Sequence, residues 1–135
     1  MITQLQRFIQ QTIHMQHEVS ERYFELYDEA QHVIGEYEVD ETGTLRRVQF
    51  FIDEQACDMM ATEEATSRAQ QIVSAFEKRP LQLDALISYD AHYLVIFEEA
   101  DERYQLPLPN TGAHISLTGD GQLLEASLFR EPYTV

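Results

Sequence analysis

Val39-Asp40-Glu41-Thr42-Gly43-Thr44-Leu45-Arg46-Arg47-Val48-Gln49-Phe50-Phe51 reads as a strand, a glycine-centred turn and a return strand opened by leucine. The same content returns at a constant offset of 78 in Leu117-Thr118-Gly119-Asp120-Gly121-Gln122-Leu123-Leu124-Glu125-Ala126-Ser127-Leu128-Phe129. In the first stretch Tyr37 and Val39 alternate inward before the turn, and Val48, Phe50 and Ile52 share one face after it. The opposite face, with Leu45, Arg47, Gln49 and Phe51, is half-solvated by this reading. In the second, residues 113–118 and 123–129 flank the Gly119-Asp120-Gly121 turn. Duplication accounts for the echo, and so do two unrelated hairpins obeying the same turn chemistry. Either way the chain builds antiparallel sheet.

Working outward, residues 62–78 read as a helix. Thr62 stands at the N-cap, Glu63 and Glu64 lie in the first turn, and Ala65, Ala69, Ile72, Val73 and Phe76 form the apolar stripe. Lys78-Arg79-Pro80 supplies cations and a stop. Residues 85–89 and 92–98 read as strands separated by Asp90-Ala91, and Tyr93, Val95 and Phe97 alternate with Leu94 and Ile96, so both faces are apolar. That pattern predicts a central strand with a helix on one side and a second layer or partner on the other. The two prolines in residues 106–112 predict an irregular edge segment.

Residues 2–34 contain neither proline nor glycine, and a helical wheel gathers Leu5, Phe8, Ile9, Met15, Val19, Tyr23, Leu26, Tyr27, Ala30, Val33 and Ile34 on one face. Residues 1–34 are therefore expected to be one long N-terminal helix of roughly 50 Å, stopped by Gly35 at C′. Its length exceeds one small domain, which predicts a break near His14-Met15-Gln16-His17 or packing on a second subunit. The expected fold class is a single α+β domain over 1–135. In it, an antiparallel β-sheet of about five or six strands packs against two helices, the first long and N-terminal.

The 135 residues suffice for one self-sufficient core. With 9 basic and 24 acidic residues the formal charge is −15, which opposes binding to nucleic acid or to an anionic membrane surface. The sequence has no stretch approaching a membrane span and no export-signal pattern, so a cytoplasmic protein is expected. Cys57 is the only cysteine, which excludes an intrachain disulfide and a C-x-x-C site.

Candidate chemistry is sparse. On the expected first helix, His14, Glu18 and Glu21 share the polar face with His17 at its flank, a spacing that permits a metal ion, but the pair does not make H-E-x-x-H. Asp53, Glu54 and Asp58 around Cys57 oppose thiolate formation. No serine occurs in G-x-S-x-G, and the five glycines form no phosphate cradle. His92 and His114 fall on expected strands and could face each other across the sheet, while Glu98 and Glu99 carry no glycosidase signal in so acidic a chain. Asp40, Glu41, Asp120 and Glu125 offer weak turn sites for calcium without an EF-hand loop. No catalytic, cofactor-binding or metal residue is assigned.

Thr62-Glu63-Glu64-Ala65-Thr66-Ser67-Arg68-Ala69 resembles the T-x-E-E-A-x-x-x-A opening helix of PepSY-like domains. Tyr93 through Phe97, Leu108-Pro109-Asn110-Thr111-Gly112 and the 115–123 stretch resemble their continuation, so the similarity covers about residues 36–131. The resemblance implies a helix on an antiparallel sheet and a noncatalytic role in inhibition, chaperoning or ligand binding. The absence of a following peptidase domain and the expected long helix weigh against a propeptide role.

The expected function is thus a noncatalytic protein- or ligand-binding or regulatory module that forms a homodimer, with a protein or peptide as partner. A second reading is a small hydrolase or metal-dependent enzyme with a helix–sheet pocket around His14, His17, His92 or His114. A third, resting on the resemblance alone, is a peptidase-inhibitor-like module.

Overall fold

A computed structural model describes residues 1–52, 58–100 and 107–129. The elements are α1 (Ile2–Gln6), β1 (Met15–Ser20), β2 (Tyr23–Tyr27), β3 (Val33–Val39), β4 (Leu45–Phe50), α2 (Thr62–Phe76), β5 (Gln82–Ser88), β6 (His92–Ala100), β7 (Pro107–Thr118) and β8 (Leu123–Leu128). They form one eight-stranded sheet in the order β1-β2-β3-β4-β8-β7-β6-β5. Each strand runs antiparallel to its neighbours.

Turn chemistry builds three of the hairpins in the same way. In the β3–β4 turn the Asp40 N–H donates to Thr44 O at 2.9 Å, the Gly43 N–H donates to Asp40 O at 3.0 Å, and the Thr44 N–H donates to Asp40 Oδ1 at 3.0 Å. In the β7–β8 turn Thr118, Gly121 and Gln122 repeat the three bonds, with Thr118 Oγ1 in place of the carboxylate. The third copy joins β2 to β3: Asp28 accepts from Gln31 N and, through Oδ1, from His32 N, while its own N–H donates to His32 O. The fourth residue of each turn adopts positive φ, at +82° for Gly43, +89° for Gly121 and +66° for Gln31. Glycine takes that conformation freely, and glutamine does so against steric resistance.

The offset of 78 in the sequence is a symmetry of the fold. Strands β4 and β8 are equivalent end to end at that spacing, and they pair with each other at the middle of the sheet. Val48 faces Ala126, its own equivalent, while the flanking pairs Arg47–Ser127 and Gln49–Glu125 exchange under the same shift. The Phe51 N–H donates to Ile34 O at 2.9 Å and, equivalently, the Phe129 N–H donates to Gly112 O at 2.8 Å. Each half is therefore a helix followed by a four-stranded meander, and the halves meet about a pseudo-two-fold axis through Val48 and Ala126.

The expected long N-terminal helix is corrected: only Ile2–Gln6 is α-helical, and residues 15–39 supply three strands. Aromatic and β-branched residues (Val19, Tyr23, Phe24, Tyr27, Val33, Ile34, Tyr37) favour the pleated conformation, and Asp28 closes the turn that a continuous helix would forbid. Gly35 lies inside β3, where a Cβ would come within 2.7 Å of Gln49 O and the Phe50 ring. The sheet accordingly has eight strands instead of five or six. The 106–112 stretch is corrected as well, since residues 107–112 belong to β7, which lies between β6 and β8. The register of β6 against β7 shifts between Phe97 and Glu99, from Ala113 to Leu108.

One face of the sheet carries the core. Tyr37, Val48, Phe50, Tyr93, Val95, Phe97, Ala113, Ile115, Leu117, Ala126 and Leu128 are buried there with Ala65, Ala69, Ile72, Val73 and Phe76 of α2. Ala65 and Ala69 let the helix lie close over β6 and β7. Over the first half the same role falls to α1 and the irregular stretch after it, through Leu5, Phe8, Ile9 and Ile13. Phe8 meets Phe76 edge to face with ring centroids 6.2 Å apart, and its carbonyl accepts the Leu123 N–H at 2.8 Å.

Candidate interaction surfaces

The second sheet face carries no helix among the described residues. Antiparallel partners project to the same side, so the register assigns its occupants. At the β5–β6 end Leu94 lies between Ile87 and Ser116, and Ile96 lies between Ala85 and His114. Tyr89 stacks on His92 with centroids 4.5 Å apart, and Phe129 meets His114 edge to face at 5.0 Å. Ile87 and Tyr89 are 39% and 47% exposed, large apolar surfaces for a single sheet. The first half differs in chemistry. Glu25 pairs with Glu36, and Glu38 pairs with Arg47. Arg47 reaches Glu125 at 3.6 Å and Glu36 at 4.0 Å, and the Tyr23 hydroxyl donates to Glu36. Like charges directly opposite in a ladder are destabilising, and the Tyr23 and Arg47 contacts offset that repulsion. The same register places Met15 and Val33, 44% and 39% exposed, beside Tyr27 on this half, so both ends of the face carry apolar surface and the carboxylates crowd the first.

The sequence-derived histidine arrangements are not assembled. His14 precedes β1, His17 lies in β1 opposite Glu25, Glu18 projects to the other side, and Glu21 falls in the following turn. The helical spacing that would bring them to one ion is absent, and no group of three or more His, Cys, Asp or Glu side chains suited to a metal occurs among the described residues. His92 pairs with Thr118 and His114 with Ile96, so the two lie four positions apart along adjacent strands rather than face to face. Both are on the face away from the helices, which removes them from any helix–sheet pocket. Cys57 and its neighbours Asp53 and Glu54 lie outside the described residues. Glu98 and Glu99 point to opposite sides of β6, and Glu99 accepts from Arg79 at 3.0 Å.

The turn acids have structural employment. Asp40 Oδ1 accepts from Thr42 N, Thr42 Oγ1 and Thr44 N. The Thr118 hydroxyl donates to Asp120 and, with a longer bond from the Gln122 amide, holds its carboxyl below the ordinary range. Burial pushes the Tyr37 phenol up, against the opposing effect of its bond to Gln16.

Helix α2 ends on a polar clamp that the sequence reading missed. Thr62 is its first residue, Ala61 holds the N-cap without a side-chain bond, and the helix stops at Phe76, so Lys78 and Arg79 lie beyond the last turn. The buried Glu77 carboxylate accepts from the N–H groups of Lys78 and Arg79 and from Arg79 Nη2 at 3.0 Å. The Arg79 guanidinium also donates to Glu99 and to Phe129 O at 2.8 Å, tying the helix end to β6 and β8. The E-x-R spacing was the available signal.

Along its outer flank α2 leaves a groove beside the edge strand β5, about 530 Å³ in volume and lined by Thr62, Glu63, Thr66, Ser67, Gln70 and Leu86. A second depression, sharing Gln70, continues past Lys78 and Pro80 to Phe97. Strand β1, which holds the equivalent edge in the first half, is exposed at all six residues, and α1 spans only five.

No family model and no curated protein matches the sequence. Among solved structures the chain is similar to the Bacillus megaterium YpeB C-terminal domain, with a TM-score of 0.69 at 13% identity. The match covers 98% of this chain and 65% of that one, so the present chain spans less than two thirds of that structure. The likeness is one of fold. The helix-on-antiparallel-sheet arrangement implied by the PepSY resemblance is present in α2 and the sheet beneath it. No helix among the described residues is long and apolar enough to cross a membrane.

Proposed function

We propose that this protein is a noncatalytic, PepSY-like binding or regulatory module of the cytoplasm that self-associates through the β5–β6 end of its second sheet face. The observation carrying this reading is the concentration of carboxylates at one end of that face, which leaves the apolar side chains of the other end free of like-charge repulsion. Ile87, Leu94 and Ile96 sit at the β5–β6 end, and Glu25, Glu36 and Glu38 sit at the other. Two copies stacked patch on patch about a two-fold axis bury the β5–β6 ends and let the acidic ends diverge, as isologous dimers allow despite the charge of −15 on each chain. The helix-covered face supports the noncatalytic part: its interior is packed side chains from β3 to β6, and the histidines stand on the opposite side.

Light scattering coupled to size exclusion tests it. The expected mass at micromolar concentration is about twice 15.7 kDa, and Leu94→Lys with Ile87→Lys returns it to the monomer value. A monomer mass for the parent chain contradicts self-association.

A further inference from the structure

The edge strand β5 and the groove beside it have properties that self-association of the open face leaves unused. The Tyr89 N–H donates to His92 O at 2.9 Å, which turns that residue's backbone groups toward β6. Antiparallel ladders alternate, so Ile87 also faces β6, while the N–H and C=O groups of Leu86 and Ser88 project away from the sheet. No proline or lysine interrupts Gln82–Ser88, devices that commonly blunt a sheet edge. A register shift between Leu83 and Ala85 marks the limit of the regular edge.

We propose that this edge takes an extended basic segment of a partner protein as a ninth strand, with alternate side chains of that segment lying in the groove between β5 and α2. The proposal rests on the binding-module reading and specifies its partner. Strand addition draws affinity from main-chain bonds and specificity from pockets for alternate side chains, and the structure offers both. The outward groups of Leu86 and Ser88 provide the bonds. The groove floor is Leu86, and its helix wall is Thr62, Thr66, Ser67 and Gln70, with Glu63 at one end. A lysine or arginine lays its methylene stem along Leu86 and places its cation at Glu63. Asp84 lies within the strand at its register shift and Asp90 two residues beyond its end, and the net charge of −15 favours a basic segment at long range. A second copy on this edge brings two sets of Glu63, Asp84 and Asp90 together, which disfavours it.

The test is fluorescence anisotropy with a fluorescein-labelled, end-capped octapeptide of alternating valine and lysine at about 0.15 M salt. The matching valine–glutamate peptide is the control. The expected result is saturable binding of the lysine peptide only, weakened at least about tenfold by Ser88→Pro, which deletes an outward donor, and by Ser67→Trp, which fills the groove. Ser88→Ala keeps the donor and the affinity. Circular dichroism confirms that the variants fold, and Ser67→Trp provides the answer if Ser88→Pro does not. Absence of saturable binding overturns the proposal. So does binding that both blocking variants leave intact, which places the peptide elsewhere on the acidic surface, and so does equal binding of the glutamate peptide. A Leu94→Glu, Ile96→Glu protein, changed on the open face of β6 and unaltered in β5, separates the two readings: as a monomer that still binds the peptide it upholds the edge site independently of self-association.

Discussion

Residues 1–52 and the described residues 58–100 and 107–129 build the same meander from different materials, and the difference shows what a repeated backbone requires and what it leaves open. Both halves need the turn that places a side-chain oxygen at the first position and a positive φ at the fourth. Aspartate or threonine satisfies the first requirement, and glycine or, under strain, glutamine satisfies the second. The halves do not share the covering layer. The second is roofed by the fifteen residues of α2. The first has the five of α1 and the irregular stretch carrying Phe8, Ile9 and Ile13. The half with the long helix has a groove at its edge strand, where the first half has the exposed β1 and a five-residue α1, so the asymmetry of the roof becomes an asymmetry of surface chemistry.

The sharpest contrast between equivalent positions is Gly112 against Ile34. Ile34 carries a buried side chain, whereas a Cβ at Gly112 lies 1.7 Å from Phe97 O, beside the register shift in β6. Gly112→Val is expected to destabilise by more than about 4 kcal/mol, because backbone on the neighbouring strand cannot yield as a side chain can. Urea unfolding checks it, and a loss below about 1 kcal/mol means the two strands pair without that close approach.

The two glycine turns come next. Both positions have positive φ, so valine is strained at either, by about 1–3 kcal/mol. At Gly121 the new Cβ also meets Met60 Sδ at 2.9 Å, while Gly43 has nothing within 4 Å. Gly121→Val should therefore cost more than Gly43→Val, and denaturant midpoints of the two variants compare them directly. Equal losses would show that Met60 gives way freely.

At the third turn the expectation reverses sign. Gln31 occupies the glycine position at φ +66°, so Gln31→Gly should stabilise by about 0.5–1 kcal/mol. A melting temperature that falls instead would contradict the equivalence of the three turns.

The smallest effect concerns Tyr37, which stands where the second half has Ile115. Burial raises its phenol above 10.0, the ordinary value. The native state thus favours the neutral form, and the associated stability is complete below pH 10 and lost as pH rises through the raised value. Stability measured from pH 9 to 11 should fall more steeply for the parent than for Tyr37→Phe, and parallel curves would contradict the burial.

Both glycine hairpins, the α2 stripe and strands β5 and β6 were legible in the sequence because each signal is local: a turn glycine, a 3.6-residue stripe, an alternation. Residues 2–34 misled because fourteen apolar residues in thirty-three positions put eleven on one face of a wheel almost as readily as they satisfy three short strands. The decisive signal was Asp28, which marks a turn even without glycine at Gln31. The doubly apolar Tyr93–Phe97 alternation predicted a helix on one side, which α2 supplies; the layer or partner it predicted on the other side is not present among the described residues. The α2–β5 groove was not legible, since it depends on which strand ends the sheet, a property of the order β8-β7-β6-β5 that no local pattern encodes.

The central claim is that two equivalent halves share one sheet across β4 and β8, with both helices on one face and none on the other among the described residues. Cross-strand nuclear Overhauser effects in uniformly labelled protein test it most directly. The account predicts contacts linking Arg47 to Ser127 and Gln49 to Glu125 about the Val48–Ala126 pair, together with strand-type contacts linking Glu25 to Glu36. Sequential helical contacts running through residues 15–34, or β4 lacking any contact to β8, would contradict it.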